Sequence, residues 1–328
     1  MAIRTLLDGF GRRIDYLRVS VTDRCDLRCQ YCLPQDYKQF EEPANWLSHA
    51  EMARLIGLFA ELGIRKVRLT GGEPLTRRDV CDLAARVAKL PAIVDLSMST
   101  NGTRLARYAT ELKQAGVQRL NVSLDTLDPA TFERITGRDC LQAVLEGLSA
   151  AADAGFTPIK INCVIHHETL VSEVEQVFEY SYSRGFILRL IEVMPMGRSG
   201  QQFRYINVAD IASELAARYR LIPCTGNQGP GPAHYWMDAT WSAALGVITP
   251  MSQHFCARCN RVRLSVDGTL YLCLGQEAAV PLGRALRSGA NDDELQSLII
   301  DGIAAKPERH EFTTAPTRII RVMAKTGG

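Results

Sequence analysis

The sequence lacks the features that would place the protein in a membrane or outside the cell. No apolar run reaches the roughly 18 residues of a membrane-spanning helix. The N-terminal segment MAIRTLLDGFGRRID is charged throughout and lacks the apolar stretch of a secretory signal. A net charge of +2 argues against a nucleic-acid coat or an acidic tail. We therefore predict a soluble, cytoplasmic protein that contacts neither nucleic acid nor membrane.

Cysteine is scarce and unevenly distributed. Ten cysteines in 328 residues are too few for a disulfide-stabilised scaffold. The first triad is Cys25, Cys29 and Cys32, and the second triad is Cys256, Cys259 and Cys273. The other four are scattered and are predicted to be packing thiols. In a reducing compartment, grouped cysteines indicate metal or redox chemistry rather than disulfides.

Six β-rich runs alternate with amphipathic helical patterns in the first 193 residues. The predicted strands are 16–21, 66–70, 93–99, 118–124, 158–165 and 187–193. The predicted helices are 48–62, 78–89, 103–115, 142–154 and 170–184. This alternation is typical of an α/β fold with a parallel sheet covered by helices.

Each predicted strand has one apolar face and one polar face. In the first strand, for example, Arg18 and Ser20 alternate with Leu17 and Val19. Apolar side chains fill a closed eight-stranded barrel. Six strands with a polar inner face therefore favour a partial (βα)6 TIM-like barrel, open on one side, around a polar cavity. A flat sheet with one solvated face is the alternative.

Four of the predicted inner positions carry cations. They are Arg18, Arg68, Lys160 and Arg189. Because unpaired charges in a cavity are costly, we expect Glu192 to pair with one of them. The others predict a multiply charged anionic ligand such as a phosphate ester.

The pattern changes after residue 193. Residues 194–204 are predicted as loop, and 224–233 as irregular because they are rich in glycine and proline. Residues 261–274 predict a hairpin that turns at Asp267-Gly268. Further helices are predicted at 206–219, 281–288 and 292–304. We expect a barrel core at 1–194 and a smaller α+β region at 195–328 that packs on it.

The first triad follows the first predicted strand, where the sites of βα folds form. Zinc usually takes four ligands, and no fourth cysteine or histidine is near in sequence. A [4Fe–4S] cluster takes one thiolate per iron, so three thiolates leave one iron open. The first triad therefore predicts an iron–sulfur cluster.

The second triad brackets the predicted hairpin. Cys256 and Cys259 precede it and Cys273 ends it, so the three thiols should converge. A zinc site completed by His254 is one interpretation. A second iron–sulfur cluster with an open iron is the other, and spacing does not separate the two.

These motifs resemble those of the radical S-adenosylmethionine (SAM) enzymes. The first triad has Tyr31 before its last cysteine, and Gly71-Gly72-Glu73-Pro74 after the second strand is similar to the family's GGE motif. Over essentially the whole chain, the sequence resembles the GTP 3′,8-cyclase family of molybdenum cofactor biosynthesis. That resemblance rests on LRVSVTDRCDLRCQYC, CARCNRVRLSVDGTLYLCL, KPERHEF and the terminal Gly327-Gly328.

The resemblance implies a lyase that converts GTP to (8S)-3′,8-cyclo-7,8-dihydroguanosine 5′-triphosphate, with 5′-deoxyadenosine and methionine as co-products. It implies two [4Fe–4S] clusters and SAM as cofactors, which favours iron for the second triad. It also implies an external one-electron donor, and cyclic pyranopterin monophosphate synthase as the next enzyme; a homodimer is compatible with it. A radical SAM enzyme acting on a peptide or another substrate, and a non-catalytic zinc-binding scaffold, remain the alternatives.

The resemblance also implies roles for single residues. The first triad would bind the first cluster and the second triad the second. SAM contacts are implied for Tyr31, Gly72, Ser123 and Met194. GTP contacts are implied for Arg18, Arg68, Ser99, Lys160, Arg261, Val262 and Arg263. The tail residues Gly327 and Gly328 would insert toward the active site. Three of the four inner-face cations are thus also implied GTP contacts.

Overall fold

Six parallel strands form the centre of the fold. They are β1 (Tyr16–Ser20), β2 (Lys66–Thr70), β3 (Asp95–Thr100), β4 (Arg119–Ser123), β5 (Ile159–Ile165) and β6 (Ile187–Glu192). Strands that follow each other in the sequence are hydrogen-bonded to each other in the sheet. The computed structural model describes residues 5–34, 37, 43–224, 231–240 and 242–327. All six predicted strands are confirmed, with small differences at their ends.

Helices connect these strands. They are α1 (His49–Glu61), α2 (Val80–Ala88), α3 (Leu105–Gln114), α4 (Pro129–Thr136), α5 (Leu141–Asp153) and α6 (Val171–Ser183). The five predicted helices are confirmed, whereas α4 was not predicted. Its sequence signals are nevertheless clear, since Asp128 accepts a bond from Thr131 N, Pro129 begins the helix and left-handed Gly137 ends it.

Residues after 193 form shorter elements. The helices are α7 (Gly197–Gln201), α8 (Val208–Arg218), α9 (Leu282–Arg287), α10 (Asp292–Ala304) and α11 (Met323–Thr326). The strands are β7 (Ile222–Pro223), β8 (His234–Met237), β9 (Ala243–Ile248), β10 (Arg261–Leu264), β11 (Thr269–Tyr271) and β12 (Ala279–Pro281). The predicted hairpin is β10–β11, and α7 lies within the segment predicted as loop.

The late strands extend the central sheet at both sides. β10 pairs in parallel with β1, and β9 pairs in parallel with β6. The full order is β12-β11-β10-β1-β2-β3-β4-β5-β6-β9-β8-β7. Among the described residues, β12 and β7 each pair with one strand only. The sheet is therefore open, as predicted, and the C-terminal region widens it.

One face of the sheet packs against the helices. Apolar strand residues such as Val19, Leu69 and Leu188 are fully buried in one cluster with Phe59 of α1 and Phe178 of α6. Because side chains alternate along a strand, the polar residues are left on the opposite face. In the described part of the chain, no helix is both long and apolar enough to span a bilayer.

Candidate active site

The polar face of the sheet lines a central cavity that is rich in cations. Residues on neighbouring parallel strands lie side by side, and Arg18 has Arg68 of β2 on one side and Arg263 of β10 on the other. The basic residues that line the cavity are Arg18, Arg68, Arg119, Lys160, Arg189, Arg261, Arg263 and Lys306. All four predicted inner-face cations thus line one cavity.

Most of these cations face no carboxylate. Within the described residues, Arg119 pairs with Asp95, but no salt bridge involves the other seven. Burial and the neighbouring Arg263 guanidinium lower the pKa of Arg18, and burial lowers that of Arg263 to about 9. The Nε atoms of Arg18, Arg189 and Arg261 are buried without a hydrogen-bond partner. An anion is therefore needed to compensate this cavity.

Neutral groups orient two of the cations. Lys160 Nζ donates to Tyr235 Oη at 3.1 Å, and Arg189 Nη2 donates to the side-chain oxygens of Asn121 and Asn162. The prediction that Glu192 pairs with a cavity cation is wrong. Its carboxylate instead accepts bonds from Met251 N at 2.8 Å and Ser252 N at 3.0 Å, and so holds the loop after β9.

The first triad lies in the loop that follows β1. Cys25 Sγ accepts bonds from Leu27 N at 3.4 Å and Asn101 Nδ2 at 3.7 Å. Burial raises the pKa of all three thiols, that of Cys32 to about 12. The Cys25 and Cys32 sulfurs also raise the pKa of Cys29, so the three thiols interact. Three convergent thiols in a shielded loop suit a cluster with one open iron.

Gly72 allows the loop after β2 to pack on the cysteine loop. A Cβ atom at Gly72 would overlap the carbonyl oxygen of Arg24. Two main-chain bonds join the loops, from Gly72 N to Thr22 O at 2.8 Å and from Glu73 N to Arg24 O at 2.7 Å. The GGE-like segment is therefore a direct neighbour of the first triad.

A second, smaller pocket lies beside the first triad. Cys29, Tyr31 and Ser123 line it together with Asn101 and Asp125. Tyr31 Oη donates to Asp125 Oδ2 at 2.6 Å, and burial raises the pKa of Asp125 to about 6. Two of the four implied SAM contacts thus share this pocket. Met194 lies elsewhere, on the wall of the central cavity.

The second triad lies on the wall of the central cavity. Cys256 and Cys259 flank a 3₁₀ turn before β10, and Cys273 follows β11, so the hairpin brings the three together. No group of three metal-ligating side chains in the described ranges could hold a single metal ion. The ring of His254 packs at 5.8 Å from that of His310.

Two further implied GTP contacts, Ser99 and Val262, lie in different parts of the fold. Ser99 Oγ accepts from Asn121 Nδ2 at 3.4 Å, on the polar face. Val262 borders the cavity, but its side chain is 1% exposed and packs in the apolar core. A ligand contact at Val262 would therefore use main-chain atoms.

The C-terminal tail reaches the cavity cations. Arg263 Nη1 donates to the carbonyl oxygens of Thr326, at 3.1 Å, and Gly327. Gly327 has a φ of +70°, and a Cβ atom there would overlap Thr70 at the end of β2. The tail is thus seated beside the first two strands, whereas Gly328 lies outside the described residues.

Comparison with known proteins identifies the family. The Radical SAM superfamily matches residues 19–180, and Molybdenum Cofactor Synthesis C matches residues 186–312. GTP 3′,8-cyclase from Caulobacter vibrioides is 43% identical, over 99% of this chain and 94% of its own. The Nitrobacter hamburgensis enzyme of that name is 44% identical, over 99% and 96%. The chain belongs to the GTP 3′,8-cyclase family.

Solved structures confirm the fold of this family member. Streptococcus suis SuiB bound to S-adenosylmethionine superposes with a TM-score of 0.65 at 13% identity, over 90% of this chain and 69% of SuiB. The family is one of radical SAM lyases that use SAM and [4Fe–4S] clusters. The family's metal centres are therefore iron–sulfur clusters rather than zinc sites.

Several residues that line the cavity of this family member were not predicted from the sequence. Arg119 shares the polar face of β4 with Asn121, so alternation alone could have found it. Tyr235 lies on β8, which no sequence signal predicted as a strand. Lys306 belongs to the KPERHEF segment, which had no physical interpretation.

Proposed function

We propose that this chain converts GTP to (8S)-3′,8-cyclo-7,8-dihydroguanosine 5′-triphosphate, the first step of molybdenum cofactor biosynthesis. SAM would be consumed to give 5′-deoxyadenosine and methionine. The observation that carries the proposal is the cavity itself, which combines the second triad with seven cations that no described carboxylate pairs. A nucleoside triphosphate offers this surface both a base for the triad and a polyanion for the cations.

The two triads are proposed to hold two [4Fe–4S] clusters. Cys25, Cys29 and Cys32 would hold the first, and Cys256, Cys259 and Cys273 the second. When bound, these clusters supply the electron that cleaves SAM and an open iron for the guanine base. Tyr31, Gly72 and Ser123 surround the first triad and are proposed to bind SAM, with Met194 contributing from the cavity side.

The cavity cations are proposed to bind and orient the triphosphate. Arg18, Arg68, Arg261 and Arg263 lie on the adjacent strands β10, β1 and β2, and Lys160 lies on β5, beyond β3 and β4, on the wall of the same cavity. Ser99 and the main chain of Val262 would complete the contacts to GTP. Fixed donors in a shielded site hold the ribose in place and keep water from reactive carbon centres. The tail at Gly327 and Gly328 is proposed to support this wall through Arg263.

These placements give the two parts of the chain different roles. We propose that residues 1–194 form the radical SAM core and that residues 195–328 supply the second cluster and the tail. An external one-electron donor would reduce the clusters, and cyclic pyranopterin monophosphate synthase would consume the product. The grouped thiols suit a reducing compartment, so we propose a cytoplasmic location. A homodimer is compatible with these assignments.

Anaerobic reconstitution followed by product analysis tests the function. We expect about eight irons per chain, four for each cluster, and little zinc. With SAM and a reductant, GTP should yield 5′-deoxyadenosine and the cyclised nucleotide. ATP or a peptide in place of GTP should yield neither. Reconstituted protein without iron, or equal turnover of ATP, would contradict the proposal.

A further inference from the structure

Lys306 is a buried cation beside the second triad. Its side chain lies on the same cavity wall as Cys256, Cys259 and Cys273, and the residue is 2% exposed. Nζ donates a hydrogen bond to the carbonyl oxygen of Leu272, the residue before Cys273. No salt bridge in the described ranges involves Lys306. A buried ammonium without a carboxylate needs another anionic neighbour.

Among the cations near the triad, Arg12 and Arg321 are already compensated. Arg12 pairs with the buried Asp8, and its Nη1 donates to Cys256 O at 2.8 Å. Arg321 pairs with Glu277, and its Nη2 donates to Cys273 O at 3.3 Å. Both arginines therefore hold the main chain of a cysteine while a carboxylate neutralises them. Lys306 differs from these two arginines because no described carboxylate neutralises its charge, which therefore acts on the nearby thiolates.

The KPERHEF segment fixes Lys306 in place. Lys306 N donates to Ile303 O at 3.0 Å at the end of α10. Arg12 binds the carbonyl oxygens of Pro307 and Glu308, each at 2.6 Å. His310 Nε2 meets Pro250 O at 2.9 Å on the far side of the segment. The ammonium is thus attached to a backbone held at both ends and keeps its position on the cavity wall.

We propose that Lys306 is a positioning residue for the second cluster, and that its fixed charge raises the reduction potential of that cluster. This inference rests on the proposed function, since it requires iron at the second triad. Net charge near a cluster and hydrogen bonds around its ligands are among the determinants of its potential. The bond to Leu272 also holds the peptide that precedes Cys273.

Three substitutions separate charge from hydrogen bonding. Lys306→Gln keeps a donor for Leu272 O but removes the charge, Lys306→Met removes both, and Lys306→Arg keeps both. Lys113→Met removes an exposed lysine at the end of α3 and serves as the control. Each reconstituted holoenzyme is first assayed for iron. A wild-type protein without clusters would contradict the proposed function, and this result is thereby distinguished from a failure of the Lys306 proposal. Redox titration is then followed by electron paramagnetic resonance.

In the titration, the two clusters are distinguished by whether their signals respond to added SAM or to added GTP. The signal that changes with SAM belongs to the first cluster and the signal that changes with GTP to the second. We expect Lys306→Gln and Lys306→Met to shift only the GTP-responsive signal, to a more negative potential, or to lose about half of the iron. Lys306→Arg and Lys113→Met should match the wild type. A wild-type potential in Lys306→Gln, an equal shift of both signals, or equal iron loss in Lys306→Arg would overturn the proposal.

Discussion

At the residue scale, two cations of the cavity are hydrogen-bonded to neutral hydroxyl groups. Arg68 Nε donates to Ser97 Oγ at 3.1 Å, and Lys160 Nζ donates to Tyr235 Oη at 3.1 Å. Hydroxyl groups orient a cation but do not neutralise it. The positive charge of both side chains is therefore available to an incoming phosphate, which forms charge-assisted hydrogen bonds that are stronger than neutral ones.

Removing one of these cations should weaken GTP binding. We expect Lys160→Ala and Arg68→Ala each to raise KM for GTP at least tenfold, because a hydrogen bond to a charged group is worth about 1.5–3 kcal/mol. Steady-state kinetics at saturating SAM measures the change. Lys113→Ala, on the exposed surface, should leave KM unaltered. An unchanged KM in both cavity variants would show that the triphosphate does not bind to this wall.

Alkaline pH should weaken GTP binding through Lys160. Burial lowers the pKa of Lys160, so this lysine loses its proton at a lower pH than an exposed one. The neutral amine attracts phosphate less, and KM for GTP should therefore rise with pH in the alkaline range. In Lys160→Arg the rise should move to higher pH, because arginine stays protonated. Identical KM profiles for the two proteins would exclude Lys160 as the titrating group.

At the scale of elements, loop packing controls the first triad. The loop after β2 reaches the cysteine loop only because Gly72 has no side chain. We expect Gly72→Ala to push the loops apart and to lose about half of the iron, that of the first cluster. Gly57→Ala in α1 is the matched control, since its Cβ would meet only Leu90 Cδ2 at 4.0 Å. Full iron content in Gly72→Ala, measured after reconstitution, would contradict this expectation.

Helix α10 depends on a cap at its beginning. The Asn291 side chain accepts from Glu294 N at 3.0 Å, and Glu294 Oε2 accepts from Asn291 N at 2.8 Å. We expect Asn291→Ala to lower the free energy of unfolding by about 1 kcal/mol. Ser297→Ala on the same helix should have little effect. Chemical denaturation of the apoprotein measures both, and equal stabilities would exclude the cap as a stabilising feature.

Local patterns predicted the six central strands and, among the cavity cations, Arg18, Arg68, Lys160 and Arg189. The alternation of side chains is a property of each strand alone, so no partner is needed to recognise it. The pairing of β10 with β1 could not be found this way, because it joins residues 245 positions apart in the chain. Tyr235 and the carbonyl partner of Lys306 were missed for the same reason, since each acts on a residue distant in sequence.

At the scale of the whole molecule, stability and cofactor binding are separable. One apolar cluster runs from β10 through the central strands to β9 and includes residues of α1 and α6. None of the six triad cysteines belongs to this cluster. We therefore expect the fold to form without metal, in contrast to zinc fingers, which unfold without theirs.

Removing the iron should leave the fold intact. We expect chelation of the holoenzyme to abolish the visible absorbance of the clusters while the far-ultraviolet circular dichroism stays that of the holoenzyme. The reason is that the buried apolar core supplies the main driving force for folding. Cooperative loss of the helical signal at room temperature after chelation would show instead that the clusters hold the sheet together.

The position of β1 between β2 and β10 has a consequence for biosynthesis of the protein. The ribosome completes β1 long before β10, so one edge of the nascent sheet is exposed for most of translation. An unpaired edge of this kind invites aggregation until β10, which begins at Arg261, has been synthesised. Chaperone protection of this edge is accordingly needed during synthesis, until β10 leaves the ribosome and pairs with β1.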